Sequence, residues 1–145
     1  MRLFVSPYIL AAVFAWFVAQ GLKYTIAMYA GRKLGSMRQL YLSGGMPSAH
    51  SASVAALLVV VGFKDGIDSA VFGLALLFAA VVMYDAIMVR RSSGEQGVAL
   101  RWLFHHFKLK PENSFRTAKG HTPKEVFGGA ILGLIIGLVV YFATL

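Results

Sequence analysis

Four apolar runs, separated by polar and basic stretches, set the pattern of this chain. The first extends from Leu3 to Ala30, interrupted mainly by Gln20 and Lys23, with Arg2 before it and Arg32-Lys33 after it. It is long for a signal peptide and has no convincing small-x-small cleavage site, so it reads as a first membrane helix. The second run, Ser48 to about Phe63, covers roughly 24 Å as a helix. At that length it either crosses with its start sunk below the membrane surface or re-enters. The third, Ile67 to Arg90, is apolar as far as Tyr84-Asp85, and the fourth runs from about Pro123 to Thr144. Between them, Gly97 to Phe107 is expected to form a short helix lying in the interface, anchored by Trp102, Phe104 and Phe107. The expected fold is all-α: one integral membrane helical bundle of about four transmembrane helices plus this short interfacial helix, forming a single domain over residues 1–145.

Composition agrees with that pattern, because 58% hydrophobic and 14% charged residues are too apolar for a soluble chain of this size. The formal charge of +8 lies mainly in the loops, where it faces anionic head groups or an anionic substrate rather than nucleic acid, for which no reading motif is visible. Absence of cysteine excludes disulfides, thiolate metal sites and a cysteine nucleophile. With four spans, the segment 31–47 (three basic residues, no acid) and the segment 91–124 (seven Lys or Arg against two Glu) share one side. The positive-inside rule puts that side in the cytoplasm, and a re-entrant second helix would reverse the sidedness of every later element.

The chemistry-bearing stretch is Ser43-Gly44-Gly45-Met46-Pro47-Ser48-Ala49-His50-Ser51, a polar hinge opening into the second helix. Glycines admit close backbone approach, Pro47 stops an incoming helix, and Ser48 suits an N-cap. Orphan amides at a helix N-terminus form an anion site, although an ordinary capped turn explains the same residues. Lys23, about two turns inside the apolar boundary, either snorkels or binds substrate. Asp85 at the membrane surface expects a cation, with Lys23, Arg90 and Arg91 as candidates. His105 and His106 are adjacent and point apart on a helix, which suits interfacial polar residues better than a metal pair. Gly129, Gly133 and Gly137 create a face for close helix packing, within the monomer or across a homo-oligomer.

The last helix begins with Gly120-His121-Thr122-Pro123-Lys124-Glu125. Thr122 as N-cap, Pro123 at the first helical position and Glu125 as the capping-box acid make a start signal. His121 has no part in that signal, yet it stands four residues before Glu125, a spacing at which a carboxylate orients an imidazole.

Three ordered motifs carry a family resemblance: Gly44-Gly45-Met46-Pro47-Ser48-Ala49-His50-Ser51-Ala52, Tyr84-Asp85-Ala86-x-x-Val89-Arg90-Arg91, and Gly120-His121-Thr122-Pro123-x-Glu125-Val126-x-x-Gly129-Ala130. Together they resemble the divergent branch of the type 2 phosphatidic acid phosphatases, related to acid phosphatases and vanadium haloperoxidases. The resemblance implies that Gly45, Ser48 and Ala49 bind phosphate, that His50 is the general acid, and that His121 is a nucleophile oriented by Glu125. Alanine stands at position 49 where the wider superfamily has glycine, and Glu125 where it has aspartate. The superfamily's Lys-x6-Arg-Pro motif is absent, and its later arginine would fall at Phe115, one place from Arg116. The phosphate cations are therefore expected to be Lys23, Arg90 and Arg91, with Arg116 and Lys119 in reserve and Asp85 in support.

What the resemblance implies is a metal-independent histidine phosphatase, with no cofactor, acting on a lipid phosphate. Cytoplasmic sidedness favours a phosphomonoester of the phosphatidylglycerophosphate or phosphatidic acid type. The alternatives are a non-catalytic anionic-lipid-binding or transport protein, a scaffold docking a partner helix on its glycine face, and, less suited to a membrane-buried basic chain, a haloperoxidase.

Overall fold

The computed structural model describes residues 6–30, 45–109 and 120–145. Among them all regular structure is helical: α1 (Pro7–Tyr29), α2 (Ala49–Asp65), α3 (Ala70–Tyr84), a π-helical turn (Asp85–Val89), α4 (Arg90–His106) and α5 (Pro123–Ala143). Of the expected site residues and reserves, Gly44, Phe115, Arg116 and Lys119 lie outside the described residues.

Helix α2 is the central element, with α1, α3 and α5 all packed on it. Its backbone start donates to α5 (Ser48 N–H to Glu125 O, 3.0 Å). At its other end Lys64 Nζ donates to Thr144 O at 3.1 Å and Phe63 packs on Tyr141. It therefore runs beside α5 from one end of the bundle to the other, and the re-entrant alternative does not hold. At 17 residues α2 is the shortest way across, about 25 Å by helical rise, and it manages with less apolar length because its neighbours enclose it. Among the described residues three helical segments are long and apolar enough to cross a membrane by length and composition: Pro7–Tyr29, Ala70–His106 and Pro123–Ala143.

Small residues hold the bundle together. Ala11, Ala15 and Ala19 recur every four residues on α1, so they form one stripe, and all three are buried with Ala49, Ala52, Ala56 and Val60 of α2. Lipid is as apolar as leucine, so helices in a membrane associate through close packing rather than expulsion of water, and small side chains permit it. The large side chains Phe14, Phe17, Leu77, Val81 and Phe127 point outward instead. Gly129, Gly133 and Gly137 are buried against α2: a Cβ added at Gly133 would lie 2.2 Å from Ala52 O, and one at Gly129 would lie 2.3 Å from Ser48 O. The glycine face expected to serve packing within the monomer or across a homo-oligomer is filled by α2 of the same chain.

The expected separate interfacial helix is a correction. Gly97 to His106 are helical, but α4 continues α3 through the π turn, making a 37-residue helix from Ala70 to His106. No break occurs at 91–96 because that stretch supports itself, with Arg91 Nε to Glu95 Oε1 at 3.1 Å and Gln96 Nε2 to Ser92 Oγ at 3.3 Å, both four residues apart. At about 1.5 Å per residue the whole helix measures roughly 55 Å, well beyond a hydrocarbon core of about 30 Å. α4 has no buried residue. Trp102 and Phe107 are exposed on it, and His106 stacks on Trp102 with ring centroids 4.9 Å apart.

Candidate functional site

Four segments far apart in sequence meet at one end of the bundle: the C-terminal part of α1, the hinge before α2, the π turn and the start of α5. The π turn makes the join. In an α-helix the Arg90 N–H would reach back four residues to Ala86 O; here it reaches back five, to Asp85 O. Ala86 O accepts instead from the His121 backbone N–H at 2.9 Å. Gly120 makes this possible, since a Cβ there would lie 2.3 Å from Arg91 N and 2.4 Å from Arg91 Cα. The hinge is tied to the same place by the Ser48 N–H to Glu125 O bond of 3.0 Å.

His121 is 3% exposed, and its Nδ1 lies 3.0 Å from Glu125 Oε2. The same oxygen accepts from the Thr122 backbone N–H at 3.1 Å, while Thr122 Oγ1 accepts from the Glu125 N–H at 3.3 Å. One carboxylate therefore completes the capping box and orients the imidazole, so helix initiation and the histidine are served by the same atoms. With Nδ1 engaged, Nε2 is the ring nitrogen available for chemistry. Burial holds the His121 imidazole below its ordinary value; Glu125 pulls it upward, and the charges of Lys23 and Arg90 push it down. A neutral histidine in that field is a competent nucleophile near pH 7.

His50, in the first turn of α2, is exposed, and it lies within electrostatic reach of His121, Lys23, Arg90 and Asp85. Lys23 lays its methylenes beside Gly45, whose φ is +91°, a backbone conformation suited to glycine; a Cβ at Gly45 would be 3.6 Å from Lys23 Cγ and Cδ. Asp85 has found its cation in Arg90, with Nε to Oδ2 at 2.6 Å. Arg90 also lies within electrostatic reach of both histidines.

Two expected site residues stand differently. Arg91 turns its guanidinium along the exposed face to Glu95, and its contribution here is the backbone on which Gly120 rests. The Ser48 side chain is fully buried; its Oγ accepts from Ser51 Oγ at 3.0 Å and from the Ser51 N–H at 3.4 Å, so it works as the N-cap. The amides of Ala49 and His50 have no intrahelical acceptor and form the polar start of α2, while the Ala49 side chain packs inward. Gly120 and the Ala86 carbonyl are site residues that sequence reasoning passes over. The glycine immediately before His121 is a visible signal for the first; the second depends on a change of helical register that no side chain announces.

A buried histidine oriented by a carboxylate, a second histidine at a helix start and two cations thus gather at one end of a polytopic helical membrane bundle. Comparison gives the family: residues 4–136 match the model of the Divergent PAP2 family, and the chain belongs to it. A similar protein is the uncharacterized membrane protein YuiD of Bacillus subtilis (strain 168), 33% identical over 156 aligned positions covering 98% of each chain. No solved structure matches.

Proposed function

We propose that this protein is a membrane-embedded lipid phosphate phosphatase working through a phosphohistidine at His121. The observation that carries the reading is the Glu125-oriented, buried His121 set among His50, Lys23 and Arg90. The phosphoryl group would rest on the amides of Ala49 and His50 at the α2 start, with Gly45 keeping the hinge backbone close, and Lys23 and Arg90 would neutralise its charge. His121 Nε2 attacks phosphorus in line while the bond to the lipid oxygen breaks, and protonated His50 gives its proton to the departing alkoxide. Neutral His50 then takes a proton from water as the water oxygen attacks phosphorus, breaking the P–N bond and releasing inorganic phosphate. These side chains can carry both steps without recruiting another group.

Phosphate release by the purified protein in detergent, from a panel of phosphatidic acid, phosphatidylglycerophosphate and prenyl diphosphates with EDTA present, tests this. EDTA-resistant release is expected, fastest from a phosphomonoester lipid. A folded preparation that binds these lipids and releases nothing overturns the reading in favour of non-catalytic anionic-lipid binding.

The cations divide by geometry. Lys23→Met and Arg90→Ala are each expected to lower kcat/KM about 100-fold, the range for losing one preorganised charge contact to the transferring group. Arg91→Ala, with its guanidinium on Glu95, is expected to change it less than about threefold. Equal losses for all three would show that the charges act only through the general field.

The pH profile derives from His121. Because burial holds its pKa below the ordinary value of about 6.5, the acidic limb assigned to the nucleophile is expected below that pH. Glu125 raises the pKa, so Glu125→Gln is expected to shift this limb to lower pH as well as slowing turnover. NMR titration of ring-labelled histidine measures the same shift independently, and an upward shift would refute the assignment.

A cytoplasmic site is the reading the positive-inside rule supports, because the basic segments 31–47 and 91–124 adjoin the site residues in sequence. Single cysteines test this in a chain that has none. Positions 46 and 124 are exposed and suitable, whereas Gly45 has positive φ and Gly120 rests on Arg91 backbone, so neither tolerates a side chain. Labelling of Met46→Cys and Lys124→Cys only from inside, and of Ile67→Cys only from outside, is expected.

A further inference from the structure

Helices α1 and α3 both pack on α2 but share no packed interface of their own among the described residues, which leaves a cleft with α2 as its floor. Two open cavities lie along it. One, of about 270 Å³, is lined by Ala12, Val13, Trp16 and Ser53. The other, of about 470 Å³, is lined chiefly by Leu57 and Val61 of α2 with Leu74 and Phe78 of α3. The polar group in the first cavity is quenched, since Ser53 Oγ donates to Ala12 O at 3.0 Å. At the far end Tyr8 and Asp65 line the second cavity together, a polar pair within electrostatic reach of each other.

Helical periodicity links the cleft to the site. On α2, Ser53, Leu57, Val61 and Asp65 recur at intervals of four, and the same row begins at His50, three residues before Ser53. On α1, Tyr8, Ala12 and Trp16 form a row that reaches Lys23 two turns later. On α3, Leu74 and Phe78 lie on a row that reaches Asp85 two turns on. All three walls of the cleft thus end on residues of the site: Lys23, His50 and Asp85. From His50 to Asp65 is about 22 Å by helical rise, longer than the roughly 15 Å of one leaflet's hydrocarbon, so the groove is long enough for a whole acyl chain.

We propose that the cleft between α1 and α3 holds the acyl chain of the lipid whose phosphate occupies the His50/His121 site. This rests on the phosphatase reading for the reaction but not for the binding. The lipid enters sideways from the bilayer, its chain lies along α2, and the Tyr8/Asp65 pair limits how far that chain extends. A water-soluble phosphomonoester fills only the polar end.

The test is photolabelling of the wild-type protein in phosphatidylcholine vesicles by phosphatidic acid carrying a diazirine near its chain end, with phosphate release measured on the same sample. Adducts are expected on Leu57, Val61, Leu74 and Phe78, suppressed at least fivefold by excess unlabelled long-chain phosphatidic acid. Leu57→Trp, which fills the groove, is expected to reduce cleft adducts by a similar factor while background labelling of Phe127 and Ile131 on the outer face of α5 stays constant. Adducts spread over that outer face as densely as over the cleft would overturn the proposal. Cleft labelling without phosphate release would retain the lipid groove and remove the phosphatase reading; release without cleft labelling would do the reverse.

Discussion

His121→Ala is expected to abolish phosphate release, a fall of about 1,000-fold or more, while leaving the protein folded. The loss is large because the residue supplies the atom that bonds to phosphorus, and a bond-forming group cannot be replaced by its surroundings. Folding is expected to survive because what His121 contributes to the architecture is its backbone N–H, donated to Ala86 O, and alanine retains that donor. The cap of α5 also stays, since Glu125 Oε2 still accepts from the Thr122 N–H. Rapid-quench labelling with a ³²P-phosphorylated lipid provides the decisive measurement: an acid-labile, base-stable phosphoprotein in wild type, absent from His121→Ala and formed more slowly in His50→Ala, which lacks the proton donor for the leaving alkoxide. A labelled protein in the His121 variant would remove this residue from the nucleophile's role. Glu125→Gln separates orientation from attack, because the amide keeps an oxygen for the cap yet supplies no charge to the imidazole; a loss of about 10- to 100-fold in kcat is expected.

The second large effect is on stability. Gly133→Leu is expected to destabilise the bundle by about 3 kcal/mol or more, or to prevent its assembly, because the first added carbon would already lie 2.2 Å from Ala52 O and 2.7 Å from Ala55 Cβ. One of those neighbours is backbone, which cannot swing aside as a side chain can, so α5 would have to leave α2. The site would go with it, since Ser48 and Glu125 are joined across that contact by a backbone hydrogen bond of 3.0 Å. Gly73→Ala is the matched control: nothing lies within 4 Å of its added Cβ, and alanine suits a helix better than glycine. Titration of both variants with denaturing detergent, monitored by helical signal and phosphate release, checks this. Equal stability of Gly133→Leu and wild type would show that α2 and α5 do not pack as described.

These expectations rest on features of unequal visibility in the chain. The helix starts at Ser48 and Thr122 are legible because capping is local: a hydroxyl, a proline and an acid at fixed offsets satisfy amides a few residues away. The spacing of His121 and Glu125 is legible for the same reason. The partner of Asp85 is narrowed by the sequence to three cations, and the fold selects Arg90. Arg91, adjacent in sequence, points along α4 to Glu95, because neighbours on a helix diverge by about 100°. The length of the Ala70–His106 helix is hidden because Gly94, Gly97 and a polar run suggest a boundary, yet pairs such as Arg91 with Glu95 stabilise continuation.

The sequence by itself therefore determined the membrane class, the helix starts, the two histidines and the acid beside one of them, since these depend on composition and on interactions within a single turn. Tertiary structure decided what no local rule reaches. It packed the glycine face against α2, placed Lys23 of α1 beside Gly45 of the hinge, turned the Ser48 hydroxyl inward, and used a π turn to pass Ala86 O to His121. The physical reason is that a hydrogen bond or a packed surface between distant segments depends on where whole helices lie, and that is set by close packing summed along α1, α2 and α5.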